Sequence, residues 1–176
     1  MQLRDATRFL GNAPIDNLRP QVWADLGCGD GLFTRTLATL MGDNSTIYAI
    51  DKTEQKMPDS PNDSIGIRFI QADFELDAFE VPVLDGILMA NSLHYIKDKA
   101  ALMTKLLGKM TPMGQFLIVE YDTMLANPYV PYPIDWTNLR ALFEEVGFLN
   151  VTRLGEKPSI FGRVNLYAAA AARYKA

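Results

Sequence analysis

The chain has 176 residues, 48% hydrophobic and 22% charged, with a net charge of −4 at pH 7. That length supports one domain, residues 1–176, with a full core, and the mild acidity argues against nucleic acid as a partner, because phosphate contacts need a basic surface. Cys28 is the only cysteine, which excludes an internal disulfide and points to a reducing compartment, and no apolar run is long enough to span a bilayer. The first residues lack the apolar stretch of a secretory signal, so the expected location is the cytoplasm.

In chain order, residues 3–10 have helical character and end at the breaker Gly11-Asn12-Ala13-Pro14, making residues 1–20 a short leading helical segment. Residues 22–26 form a short apolar strand that runs into Gly27, Gly29 and Gly31. Leu32, Phe33, Leu37, Leu40 and Met41 then recur at helical spacing, and the pattern stops at Gly42-Asp43-Asn44. A second strand, 46–50, ends on Asp51. Residues 52–57 read as a short helix, followed by a loop and a third strand over 65–71 that ends in Ala72-Asp73-Phe74. The nearly continuous apolar run 84–90 reads as a buried parallel strand, with 91–95 as a loop beyond it. A helix begins near Asp98, Pro112-Met113-Gly114 reads as a turn, and 115–120 is a fifth strand. After a Pro- and Tyr-rich stretch, a helix runs from 134 or 135 to 146 and stops at Gly147. Two last strands, 149–154 and 164–170, are joined by too short a connection for a crossover helix, so they pair antiparallel. The fold class is therefore α/β: a Rossmann-like, seven-stranded, mostly parallel sheet with helices on both faces and an antiparallel C-terminal hairpin.

Ligands of open α/β sheets bind beyond the carboxyl ends of the strands. Here each such end carries a notable side chain: Asp25 with its glycines, Asp51, Asp73-Phe74, Asn91 and His94, and Glu120-Tyr121-Asp122. Glycines admit positive φ and close backbone approach to a ligand. A carboxylate in front of them repels phosphate and suits a ligand with a positive amine, and Asp30 inside the loop adds to that preference. Asp51 is placed to accept hydrogen bonds from a ribose diol, and Asp73 from an adenine amino group beside Phe74. Each residue also has an ordinary reading: a glycine turn, a strand terminus, a turn cap. A single cationic nucleoside ligand accounts for all of them together.

Asp25-Leu26-Gly27-Cys28-Gly29-Asp30-Gly31 resembles the first motif of class I S-adenosylmethionine-dependent methyltransferases, an acid followed by Gly-x-Gly-x-Gly. Tyr48-Ala49-Ile50-Asp51 is similar to their second motif, and Gln71-Ala72-Asp73-Phe74 to their adenine-contacting segment. The run 85–94 resembles the fourth motif. Residues 107–120 resemble the segment that leads through Pro-Gly-Gly into a strand, with Met113 where the first of those glycines is usual. The resemblance spans residues 20–170 and extends to the small ubiquinone- and menaquinone-methyltransferase-like group. It implies S-adenosylmethionine as cofactor, S-adenosylhomocysteine as product, no metal, and a binding set of Asp25, Gly27, Cys28, Gly29, Gly31, Asp51, Lys52, Asp73, Phe74 and Asn91. It also implies direct displacement, in which an acceptor nucleophile attacks the methyl carbon in line, and the protein mainly orients and desolvates.

His94, the only histidine, lies past the fourth strand and is the candidate general base. Glu120, Tyr121 and Asp122 are its rivals for a role in catalysis or in holding substrate, and each could equally order its loop or cap its strand. Cys28 reads as a small residue in a crowded loop rather than a nucleophile. Residues 121–136 are a candidate substrate-side loop; their aromatics either wall a pocket or pack the following helix. The acceptor expected is a small molecule. A protein substrate, or service as a cofactor-binding partner subunit, stays open, and no membrane partner is expected. A nicotinamide-dependent oxidoreductase is the rival enzyme class, disfavoured by Asp25 and by the Gly-x-Gly-x-Gly spacing.

Overall fold

The computed structural model describes residues 1–159 and 164–173. Seven strands form one sheet: β1 (Val22–Leu26), β2 (Thr46–Asp51), β3 (Gly66–Gln71), β4 (Leu84–Ala90), β5 (Met110–Tyr121), β6 (Asn150–Pro158) and β7 (Asn165–Ala172). Their order is β3-β2-β1-β4-β5-β7-β6. The first five are parallel, β7 runs antiparallel to β5, and β6 is antiparallel to β7. The last strand is thus inserted between β5 and β6, and the carboxyl ends of β1 to β5 all reach one edge of the sheet.

Four α-helices cover the faces: α1 (Leu3–Leu10), α2 (Leu32–Ala38), α3 (Lys99–Leu107) and α4 (Trp136–Glu145). Phe9 and Leu10 of α1 and Phe33 and Leu37 of α2 form one core layer with Trp23, Ile47, Leu88 and Leu117. Leu102, Met103 and Leu106 of α3 and Leu139 and Phe143 of α4 form the other, with Leu26, Ile87, Met89, Phe116 and Ile118. Successive strand residues point to opposite faces, so alternate positions of β1, β4 and β5 feed the two layers. Asp98 caps α3 by accepting the Ala101 N–H, and Asp135 caps α4 by accepting the Asn138 N–H.

Trp23 of β1 fits only because Gly86 lies opposite it on β4: a Cβ there would come within 2.4 Å of the indole ring. The five alanines 168–172 are buried along β7, Ala169 and Ala171 in one core layer and Ala168 and Ala170 in the other. Small side chains let both helical layers lie close to this inserted strand.

Several boundaries differ from the sequence reading. Residues 52–57 are not helical; Pro58 disfavours helical geometry in front of it, and Met57 instead packs over Gly31 and Cys28. The helix after the glycines stops at Ala38 rather than 41. Pro112-Met113-Gly114 lies inside β5, where the pairing jumps from Leu84↔Met110 to Gly86↔Gln115, so the expected turn is a bulge in a longer strand. β6 continues through Gly155 to Pro158, residues the sequence reading assigns to the hairpin connection. Of that connection, residues 160–163 lie outside the described residues. Among the described residues no helix is long and apolar enough to cross a membrane.

Candidate active site

The glycine turn at the end of β1 is fastened to β2, with the N–H groups of Gly27 and Cys28 both donating to the Ile50 carbonyl at 2.8 and 3.1 Å. Gly27 has φ +77° and no room for a side chain: a Cβ would sit 2.5 Å from Cβ of Ser92 and 3.5 Å from the Phe74 ring. Ser92 Oγ donates to the Leu26 carbonyl at 2.6 Å and ties the β1 and β4 ends together. Gly29 (φ +51°) and Gly31 (φ +80°) complete the loop; Gly29 has open space beside it, whereas Gly31 is covered by Met57 and Pro58, and α2 starts directly after it.

Asp25 is fully buried beneath this loop. Its Oδ2 accepts the Thr34 hydroxyl at 2.6 Å, whereas Oδ1 is buried without a hydrogen-bond partner. Burial pushes its pKa from 3.8 up to about 7, opposed by the Thr34 bond and assisted by the nearby charge of Asp51. A buried acceptor without a hydrogen-bond donor is costly, and protonation of the carboxyl or an incoming donor relieves that cost. Asp51 accepts the Gly29 N–H at 3.0 Å with Oδ2 and the Thr53 N–H at 2.9 Å with Oδ1, which fixes the carboxylate at the strand end. Asp73 Oδ1 accepts the N–H groups of Glu75 and Leu76, so it caps the turn after β3. Phe74 flanks Gly27, its ring 3.5 Å from where a Cβ would stand. The Lys52 side chain is exposed, and only its carbonyl is engaged, by Gln71. Cys28 is buried, and burial together with Asp25 and Asp51 pushes its thiol pKa up, which suppresses the thiolate.

Beyond β4, Asn91 adopts a left-handed φ of +55°, and its Oδ1 is the second buried acceptor here without a partner. A 3-10 turn at Leu93–Tyr95 carries His94. Glu120, at the end of β5, grips this residue twice: Oε1 accepts the His94 N–H at 3.0 Å and Oε2 contacts Nδ1 at 2.7 Å. Both side chains are almost completely buried. With Nδ1 held by the carboxylate, Nε2 is the ring nitrogen left to the adjoining cavity.

That cavity has a volume of about 550 Å³. Its described lining comes from the end of β4 and the 3-10 turn (Asn91, His94, Tyr95), from the end of β5 and the loop after it, including Tyr121 and Tyr129, and from Ser159 and Val164 at the hairpin. A smaller cavity of about 170 Å³ shares Asn91 and Tyr121 and extends toward Leu32 and Phe33 of α2. The glycine turn, Asp51 and Asp73 lie outside the larger cavity, on the neighbouring strand ends, and Asn91 stands between the two regions. The larger cavity therefore lies beyond the ends of β4 and β5, to one side of the glycine turn.

Residues 122–135 lie over the 3-10 turn. The Tyr132 N–H donates to the His94 carbonyl at 2.9 Å, and Lys99 Nζ bridges the Ile96 and Tyr132 carbonyls at 2.8 and 2.7 Å. The aromatics of this loop divide between the two roles left open by the sequence: Tyr129 walls the cavity, while Trp136 packs against Tyr167 at the start of α4. Asp122 accepts the Trp136 N–H and pairs with Arg153, so it anchors α4 and β6 and does not line the cavity. Burial and the charge of Glu120 raise the Tyr121 pKa, which keeps its hydroxyl protonated.

Sequence reasoning missed Ser92, Thr34, Lys99, Ser159 and Val164. A hydroxyl two positions into a helix or two past a strand carries no signal of its own, and the hairpin residues reach the cavity only because β7 inserts beside β5.

The profile of the methyltransferase-domain family matches residues 22–147. An uncharacterised methyltransferase of Mycobacterium tuberculosis is 28% identical over 115 residues, 64% of this chain and 58% of that protein. The chain thus spans less than two thirds of the length of the curated relatives it matches. Among solved structures, a 1,6-didemethyltoxoflavin N1-methyltransferase of Burkholderia thailandensis, bound to 1,6-didemethyltoxoflavin and S-adenosylhomocysteine, superposes with a TM-score of 0.68 at 18% identity. The superposition covers 98% of this chain and 78% of that one. The magnesium protoporphyrin IX methyltransferase of Synechocystis with S-adenosylhomocysteine gives a TM-score of 0.69 at 17% identity, over 98% of this chain and 81% of that one. With the strand order, the acid-fronted glycine turn and the family profile in agreement, the chain belongs to the methyltransferase-domain family and has the fold of class I S-adenosylmethionine-dependent methyltransferases.

Proposed function

We propose that this chain transfers a methyl group from S-adenosylmethionine to a small-molecule acceptor held in the 550 Å³ cavity, with His94 taking the acceptor's proton. The observation that carries this reading is the buried His94–Glu120 pair, which commits Nδ1 and leaves Nε2 beside the cavity.

The residues of the strand-end row fit the cofactor. Asp25 Oδ1 and Asn91 Oδ1 are acceptors without a partner, both sealed from the surface here, so an amine would reach Asp25 Oδ1 only with a shift of the glycine turn above it. Gly27, Cys28, Gly29 and Gly31 supply a backbone cradle; Asp51 keeps acceptor capacity for a ribose diol, with Lys52 beside it, and Asp73 and Phe74 flank the adenine end. When bound, S-adenosylmethionine supplies a methyl group already activated for displacement. With the cofactor bound, His94 Nε2 would take the proton of the acceptor's O–H or N–H as that atom bonds to the methyl carbon, the S–CH3 bond breaking and S-adenosylhomocysteine leaving. Glu120 holds the ring in the tautomer with Nδ1–H and stabilises the imidazolium that results, the part a buried carboxylate plays in other base pairs of this type. Tyr121 stays a neutral hydrogen-bond donor at the same wall.

Thermal unfolding with S-adenosylhomocysteine, S-adenosylmethionine and NADH tests the cofactor. At a hundredfold excess over Kd a ligand stabilises by about 2.7 kcal/mol, a rise in Tm of roughly 5–10 °C for a chain of this size. A rise with the two adenosyl ligands is expected, and a response to NADH alone refutes the proposal. With methyl-labelled cofactor and a cell extract, label is expected in the small-molecule fraction. Label in protein only would move the acceptor to a polypeptide.

A further inference from the structure

We infer that the smaller cavity, of about 170 Å³, is a carboxylate-binding subsite, with the Lys157 ammonium as its cation and the Tyr121 hydroxyl as a neutral donor. The carboxylate belongs to the methyl acceptor or to the amino-acid tail of the cofactor, so the inference rests on the methyl-transfer reading above.

Lys157 belongs to β6, the strand at one edge of the sheet. Lysines on edge strands commonly keep other strands away. Lys157 stands differently. It pairs across the hairpin with Leu166, which is packed in the core layer of α1 and α2. Residues directly opposite in an antiparallel pair share a face of the sheet. Gly155, two positions earlier on β6 and so on the same face, lies against Phe9 of α1. On that face Lys157 lines the smaller cavity together with Leu32, Phe33, Leu166 and Tyr121.

The Lys157 side chain is partly buried, and it has no hydrogen bond, ion pair or ring contact with the described residues. The acids of the hairpin and of the β5 end are engaged elsewhere. Glu156 pairs with Arg153 and accepts from Asn165, Asp122 pairs with Arg153, and Glu120 holds His94. Residues 160–163, outside the described residues, are Ile-Phe-Gly-Arg and bring no acidic side chain. The Tyr121 hydroxyl likewise makes no hydrogen bond with the described residues, and its raised pKa keeps the proton it donates. A carboxylate matches this pair: its charge meets one ammonium, and its second oxygen accepts from the hydroxyl. The apolar lining from Leu32, Phe33, Pro158 and Leu166 lowers the local dielectric and strengthens both bonds. Asn91, Tyr121 and Ser159 line both cavities, and Leu32 follows the glycine turn directly. The subsite thus borders the larger cavity on one side and the cofactor row on the other.

The test is calorimetric binding at pH 7 to the wild type, Lys157→Met and Lys157→Arg. Lys157→Met keeps the apolar stem and removes the charge; Lys157→Arg keeps the charge and is expected to bind as the wild type does. Two arms separate the sources of the carboxylate. For the cofactor's carboxylate, S-adenosylhomocysteine is expected to bind Lys157→Met about tenfold more weakly, while 5′-methylthioadenosine, which lacks the amino-acid tail, binds both proteins alike. For the acceptor's carboxylate, S-adenosylhomocysteine binds both proteins alike, and wild type preloaded with it prefers benzoate to benzamide by about tenfold, a preference lost in Lys157→Met. Indifference of both arms to Lys157→Met overturns the subsite, as does an equal loss of S-adenosylhomocysteine and 5′-methylthioadenosine binding. If neither nucleoside binds the wild type, the methyltransferase reading itself fails, whereas nucleoside binding with both arms indifferent refutes the subsite only.

Discussion

Asp25 makes a pH-dependent prediction that separates its charge from its packing. The carboxyl is completely buried, has one hydrogen bond from Thr34 and one empty acceptor, and titrates near 7 in place of 3.8. Below the unfolded value both states are protonated and Asp25 costs nothing. Between the two values the native state holds a proton that the unfolded chain has lost, so stability falls as pH rises, by up to 1.36 kcal/mol per pH unit. Above about pH 7 the full penalty applies; from 3.8 to about 7 it accumulates to ~4 kcal/mol, an order-of-magnitude figure. Asp25→Asn keeps the size and an acceptor for Thr34 but cannot ionise. Urea unfolding of both proteins across this range gives the test, read as the difference between the two stability profiles so that other carboxyls cancel. The wild type is expected to lose stability relative to the variant between about pH 4 and pH 7. A ligand amine placed against Oδ1 favours the ionised form, so S-adenosylhomocysteine binding is expected to release close to one proton near pH 6 in the wild type and none in Asp25→Asn, seen by calorimetry in buffers of different ionisation enthalpy. A flat difference profile refutes the burial argument, and proton-neutral binding refutes the contact with the amine.

Two further outcomes test the scaffold. Gly86→Ala drives a methyl into the Trp23 indole and is expected to cost about 1–3 kcal/mol or more in chemical denaturation, whereas Gly29→Ala, with nothing within 4 Å of its new Cβ, is opposed only by its φ of +51° and is expected to cost less. Lys99→Met leaves the Ile96 and Tyr132 carbonyls without their shared donor; hydrogen exchange at the Tyr132 amide, which bonds to the His94 carbonyl, is expected to speed up about tenfold or more with little change in Tm.

Most of the strand ladder was legible because it follows from local pattern. The short, mostly apolar runs 22–26 and 84–90, each ending in a loop, read as buried parallel strands, and the observed strands have those same bounds. The 52–57 segment failed because a few weakly patterned residues were read without weighing Pro58 or the pull of Met57 toward the glycine loop. The Pro112 turn failed in a different way: a turn and a bulge share the same residues, and only the partner strand distinguishes them.

The same division holds at the site. Sequence alone placed Asp25, the glycines, Asp51 and Asp73 at strand ends, and a parallel sheet aligns those ends by construction. Tertiary structure decided the cavity beside them. His94 and Glu120 are 26 residues apart, and they meet at 2.7 Å only because β5 lies beside β4. Tyr129 and Val130 wall the cavity only because Lys99 and the Tyr132 N–H hold their loop over the 3-10 turn, and Ser159 and Val164 reach it only because the last strand inserts next to β5. Contacts within a motif are written in its spacing, whereas contacts between distant segments depend on which strands become neighbours, and that is set by the packing of the whole sheet.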